Sequence, residues 1–310
     1  MDVIIDKGCG LDVHKETVVA CVMGSGIKKE IRTFSTMTGD LFRLKGWLSE
    51  KGITHVAMES TGPYWKPVFN VLEDSFEVIL ANARHIKNVP GRKTDVKDSE
   101  WICKLLRSGL LAASFVPPKA IRELRDLTRY RRKLTQSISA EKNRVQKVLE
   151  DANVKISSVV SDTFGVSASR MIEAIMAGEL DTEAIADLAK GKLKGKKEEL
   201  KKALVGHFQE HHRFMIQASL DHIEFLEKVI AGLDQEINRK LKDYHQGYEL
   251  LQTIPGVKEH GAASIIAEIG ADMDRFPSES HLSAWAGMSP GNNESAGKKK
   301  VERRPTAIRI

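Results

Sequence analysis

"CGLDVHKETVV", residues 9–19, places an acid inside an apolar run. Leu11 and Val13 flank Asp12, and His14 and Lys15 follow. A strand whose neighbours belong in a core gains nothing from a lone carboxylate, so the reading depends on whether other acids join it. Around this stretch, "KGCGLDV" and "ETVVACVM" read as short β-branched strands, and "IRTFST" as a third. "TGDLFRLKGWLSEKG" follows with apolar residues at helical spacing, Thr38 as cap and Gly52 as stop. "THVAMEST" is a further strand, Tyr64 to Asp74 a helix, "FEVILAN" a fifth strand, and "TDVKDSEWICKLLRSG" a helix ended by Gly109. Strands first, then strands alternating with helices, predict a mixed sheet flanked by helices.

Composition bounds the rest. The 310 residues are 41% hydrophobic and 29% charged, which fits a globular chain of two or three domains. No apolar run reaches the roughly 20 residues of a membrane helix, and "MDVIIDKG" is not a signal peptide. Cys9, Cys21 and Cys103 form neither a disulfide framework nor a zinc site, so a cytoplasmic location without membrane contact is expected. The net charge of +6 is compatible with nucleic acid.

Pro117 and Pro118 close the first domain, 1–116. From Lys119 to Lys147 a helical pattern carries 10 Lys or Arg against 3 acids. The excess is one-signed and local, which favours a phosphate-contacting surface at Arg125, Arg129, Arg131, Arg132 and Lys133 over a merely solvated face. "KGKLKGKKEELKK" reads as a solvated linker or turn. Ile216, Ile223, Ile230 and Ile237 recur every seven residues, with Leu226 and Leu233 on the second seam. That predicts a coiled coil or an antiparallel helical hairpin, and a second region spanning 117–245. In 246–310, "TIPGVKEHGAASIIAEIG" resembles a helix-hairpin-helix, whose turn at Gly256 and Lys258 would aim backbone N–H groups at phosphate. An ordinary helix pair with a glycine turn is the competing reading.

Four acids answer the opening question as a set. Asp12 lies within the first strand, Glu59 ends "HVAMES", and Asp95 and Asp98 are spaced i, i+3 on one helix face. Singly, each has a dull explanation, as a solvated strand end or a helix N-terminal acid. Gathered, they cannot all stay ionised unless divalent cations neutralise them. Mg²⁺ takes such oxygen ligands, and two ions roughly 4 Å apart serve phosphodiester cleavage.

"GLDVHK", "AMESTGPYW", "NARHIKNVPGRKTDVKDSEWICKLLRSGLL" and "TIPGVKEHGAASIIAEIG" resemble the DEDD-type transposases of the insertion-sequence 110 family, over residues 8 to about 300. The resemblance implies a RuvC-like, RNase H-like α/β N-terminal domain, an all-α coiled-coil region, and a small α-helical C-terminal transposase domain. It implies that Asp12, Glu59, Asp95 and Asp98 bind a pair of Mg²⁺ ions, with Lys15, Lys97 and His14 as phosphate contacts. It further implies a serine nucleophile, here Ser295 after "RFPSESHLSAWAGMSPG", with Lys298 and Lys299 beside it. DNA, a structured guide RNA and a homo-oligomer are the partners it implies. Two alternatives stand beside that function: a junction nuclease using the carboxylates alone, and a truncated, non-catalytic nucleic-acid-binding remnant.

The ending departs from the family. After Lys300 the pattern Ser-Gly-Lys-Thr-Thr is expected, whereas the chain reads "VERRPTAIRI". Read one base upstream, suitable codons for those residues encode Ser-Gly-Lys-Thr-Thr-Tyr-Gly-Asn-Pro-Tyr. A frameshift after Lys300 is the expectation, and with it a truncated C-terminal domain that does not complete transposition.

Overall fold

The computed structural model describes residues 3–60, 62–82, 86, 98–179 and 181–288, and the backbone of 294–295 and 298–299. The chain divides into two compact units, residues 1–116 and 117–310.

In the first unit, β1 (Gly8–Val13), β2 (Thr17–Gly24), β3 (Ile27–Ser35), β4 (His55–Glu59) and β5 (Glu77–Ala81) form one sheet in the order β3-β2-β1-β4-β5. β1, β4 and β5 run parallel, while β2 is antiparallel to both β1 and β3. Side chains of a strand alternate between faces. Cys9 and Leu11 of β1, with Val56 and Met58 of β4, enter a core closed by α1 (Thr38–Glu50) and α2 (Trp65–Leu72). The opposite face carries Gly8, Gly10 and Ala57, and onto it packs α3 (Asp98–Arg107) through Trp101, Ile102, Leu105 and Leu106. The sheet is thus covered on both sides. Thr38 is not the cap of α1: Met37 holds that place, and no side chain caps the helix. Gly52 and Gly109 stop their helices with φ of 65° and 64°, a conformation glycine adopts without steric cost.

The second unit is helical: α4 (Lys119–Asp151), α5 (Val166–Ala177), α6 (Thr182–Ala186), α7 (Lys197–Leu204), α8 (Glu210–Leu241), α9 (His245–Gln252), α10 (Glu259–Ile269) and α11 (Glu279–Trp285). α4 and α8 pair antiparallel along their length. Polar contacts between them link Glu123 with Lys240, Arg131 with Asp234, Glu141 with His222, and Asp151 with His212. Ile223 and Leu226 are buried on α8, but Ile230 and Leu233 only partly. One core lies at the tip, where α5, α6 and α7 fold over Val145, Leu149 and Ile216. Another lies where α10 packs Ala263 and Ile266 against Ile121, Leu124, Ile237 and Leu241.

The lysine-rich stretch 191–204 is not a solvated linker. It forms a 3-10 turn and then α7, which buries Leu200, Ala203 and Leu204. Its lysines hide a short apolar stripe, and Lys197 and Lys201 pair with Glu183 across to α6. No helix among the described residues is long and apolar enough to cross a membrane.

Candidate carboxylate site

Asp12 lies one residue before the end of β1 and on the same face as Gly8 and Gly10. The parallel ladder pairs Gly8 with His55 and continues to Leu11 with Met58. One step further, Asp12 faces Glu59, the last residue of β4. Neighbouring strands are about 4.8 Å apart, so these two acids are side by side at the carboxyl edge of the sheet.

The third acid arrives because β1 lacks side chains. A Cβ on Gly10 would stand 2.2 Å from the Ser99 carbonyl oxygen and 2.4 Å from the Cys103 nitrogen. Helix backbone therefore lies directly on strand backbone, and Asp98, the first residue of α3, comes beside Asp12. Cys103 Sγ donates to Gly8 O at 3.2 Å. Lys29 of β3 and Lys104 grip Glu100 at 3.2 and 2.7 Å, which ties the start of α3 to the sheet.

Burial pushes the Asp12 carboxyl above its ordinary value; His14 pulls against it, and the charges of Asp98 and Glu59 push it up further. His14 Nε2 lies 3.1 Å from Asp12 Oδ2. A half-buried carboxylate with two acidic neighbours forms a site suited to a cation. Asp95 and Lys97 lie outside the described residues, and Lys15 is exposed on the turn after β1. Gly10 was not singled out from sequence; a glycine two residues before the acid, in mid-strand, was the available signal.

The basic helix reads differently in three dimensions. Arg125 donates to the carbonyls of Ala267 and Glu268 at 3.1 and 2.6 Å, and Arg129 makes a two-pronged pair with the buried Glu268 carboxylate at 2.7 and 2.8 Å. Arg131 pairs with Asp234 and contacts His260 at 2.8 Å. These arginines fasten α4 to α8 and α10, and Arg129, Arg132 and Lys133 are exposed. Lys258 is exposed before α10, and Gly256 turns the chain there with φ 89°. Ser295 lies on a two-residue strand, β6 (Glu294–Ser295), in register opposite Lys298 of β7 (Lys298–Lys299).

A second group, Asp151, His211 and His212, has donor atoms within 4.8 Å of one another. His212 Nδ1 accepts the Gln209 N–H at 3.1 Å, so its Nε2 carries the proton and donates to Asp151 at 3.1 Å. One ring nitrogen thereby caps α8 and the other ties α8 to the end of α4.

Residues 9–154 match the family of DEDD transposases named for IS110, described as Transposase, and residues 248–308 match the family described as Transposase IS116/IS110/IS902. The chain belongs to the IS110 family of transposases. Comparison with curated proteins gave no significant match. Among solved structures, RuvC of T. thermophilus, in complex with a Holliday junction substrate, is similar at 11% identity over 35% of this chain and 99% of that one, with a TM-score of 0.25. The first family match spans the mixed five-stranded sheet with helices on both faces. This transposase is accordingly an enzyme of DNA transposition.

Proposed function

We propose that this transposase cuts and rejoins DNA strands, with divalent metal held by Asp12, Glu59, Asp98 and Asp95 and with Ser295 as nucleophile. The observation that carries the reading is the meeting of three acids at one sheet edge, where burial and mutual charge raise the Asp12 carboxyl. Binding alone has no use for that arrangement. The oxygen donors suit Mg²⁺, which when bound would supply activation of an attacking oxygen and neutralise a leaving one. His14 holds one Asp12 oxygen, leaving the other free to turn toward a ligand. Lys15, exposed beside it, meets strand phosphate.

Ser295 takes the covalent step. Its Oγ bonds to phosphorus, the bond from phosphorus to the leaving strand breaks, and the hydroxyl proton passes to the departing oxygen. Reversal with a new strand end rejoins the DNA. Lys298, in register opposite Ser295, and Lys299, which follows it, are cations suited to phosphate charge. A guide RNA and assembly into a homo-oligomer complete the reading, and the exposed Arg132 and Lys133 support strand contact.

The test is strand cleavage of element-end DNA with its guide RNA and Mg²⁺. Asp12→Asn is expected to abolish cleavage while leaving the metal-free chain roughly 0.2–1 kcal/mol more stable, because a like-charge neighbour of Glu59 is removed. Ser295→Ala is expected to lose the covalent protein–DNA adduct and keep metal binding. Undiminished cleavage by Asp12→Asn would overturn the carboxylate assignment.

A further inference from the structure

Residues 155–247 lie outside both family matches. Within them, between α5, α6, the 204–209 loop and the start of α8, is a cleft of about 350 Å³. That is near the lower end of the roughly 300–1,000 Å³ of ligand sites. Arg213, in the first turns of α8, enters it. Its Nε is buried and donates to no acceptor among the described residues. A buried guanidinium N–H without an acceptor is costly and calls for a partner.

The surroundings say which partner. Ile175, Ile185 and Leu204 form an apolar wall, and the Phe208 ring lies 5.9 Å from the Arg213 guanidinium carbon. A planar fork beside an aromatic face suits an oxyanion joined to a flat ring. Glu179, the acid of the lining, spends one oxygen on the Asp181 N–H at 2.9 Å. The loop is firmly set: a Cβ on Gly206 would stand 2.5 Å from the Ala152 carbonyl, and His207 N–H donates to that same oxygen at 2.7 Å. The N-terminal end of α8 adds its positive dipole.

We propose that this cleft binds one unpaired nucleotide, with its phosphate on Arg213 and its base against Phe208 and the apolar wall. The proposal is independent of the carboxylate site. A nucleotide held at the tip of the α4–α8 pair would anchor a single strand on the helical unit.

The experiment follows the Arg213 Nε–H signal by NMR in the full chain labelled with ¹⁵N-arginine. Its assignment comes from the peak lost in Arg213→Lys. Thymidine 5′-monophosphate, thymidine and inorganic phosphate are titrated separately. The monophosphate is expected to shift the signal at a concentration at least about tenfold below that needed for phosphate, and thymidine to leave it in place. Phe208→Leu is expected to weaken the monophosphate about tenfold and leave inorganic phosphate unchanged. No shift with the monophosphate, or half-saturation by inorganic phosphate at the same concentration, would overturn the nucleotide assignment. So would a Phe208→Leu chain that binds the monophosphate as the wild type does.

Discussion

Gly10→Ala tests the contact that assembles the carboxylate site. The added Cβ would sit 2.2 Å from Ser99 O and 2.4 Å from Cys103 N, both of them helix backbone, where ordinary contact begins at 3.4 Å. Backbone cannot rotate away as a side chain can, so α3 must retreat from β1 by about 1 Å. Overpacking of this kind costs about 1–3 kcal/mol. The functional loss is expected to be larger in proportion. Asp98 rides on the first turn of α3 and Asp12 on β1, so their separation changes with the helix. A misplacement of about 1 Å costs roughly 10²-fold in a positioned reaction. Denaturant unfolding and Mg²⁺-dependent strand cleavage would be measured together. Gly46→Ala is the control: Gly46 is exposed within α1, has none of the described residues within 4 Å of its missing Cβ, and should gain about 1 kcal/mol with cleavage unchanged. A Gly10→Ala chain with wild-type stability and cleavage would refute the close packing of α3 on β1. Lost stability with full cleavage would refute its role in placing Asp98.

Further expectations concern the α4–α8 pair. Arg132→Ala should lower the slope of log affinity against log salt for DNA by about 1, in a titration over salt concentration. Arg131→Ala should leave that slope unchanged and cost about 2–3 kcal/mol of stability, since Asp234 loses its partner. Glu141 is 5% exposed; burial raises its carboxyl, but hydrogen bonds from His222, Arg144 and Ser219 outweigh that and hold it below its ordinary value. A lowered carboxyl stabilises above its unfolded pKa and loses that contribution as pH falls through the folded one. Urea midpoints should therefore drop between about pH 5 and about pH 3 by more in the wild type than in Glu141→Gln.

How much of this was legible in the residues themselves differs from place to place. Strand alternation is local, so the five strands and the antiparallel β1–β2–β3 meander follow from apolar patterning and short turns. That Asp12 and Glu59 close neighbouring apolar runs was visible too, because each acid interrupts its own pattern. Their register was not, since it depends on how β4 slides along β1. Asp98 joins them only through a helix-to-strand contact at Gly10, 88 positions away in sequence, where the signal is the absence of a side chain.

Charge misled the local reading twice. Arg125 and Arg129 find their partners 142 and 139 residues on, so part of a run that looks one-signed in sequence is occupied with helix contacts in space. Lysines at 192–202 made α7 look solvated, although Leu200, Ala203 and Leu204 on its inner side are buried. Composition and periodicity by themselves thus determined the elements and the acids worth watching, while the family resemblance came from the quoted motifs. Tertiary structure alone decided which acids meet, which arginines hold helices together, and that Arg213, with a buried unpartnered donor, lines a cleft. Those properties depend on distances between residues far apart in the chain, and only packing sets such distances.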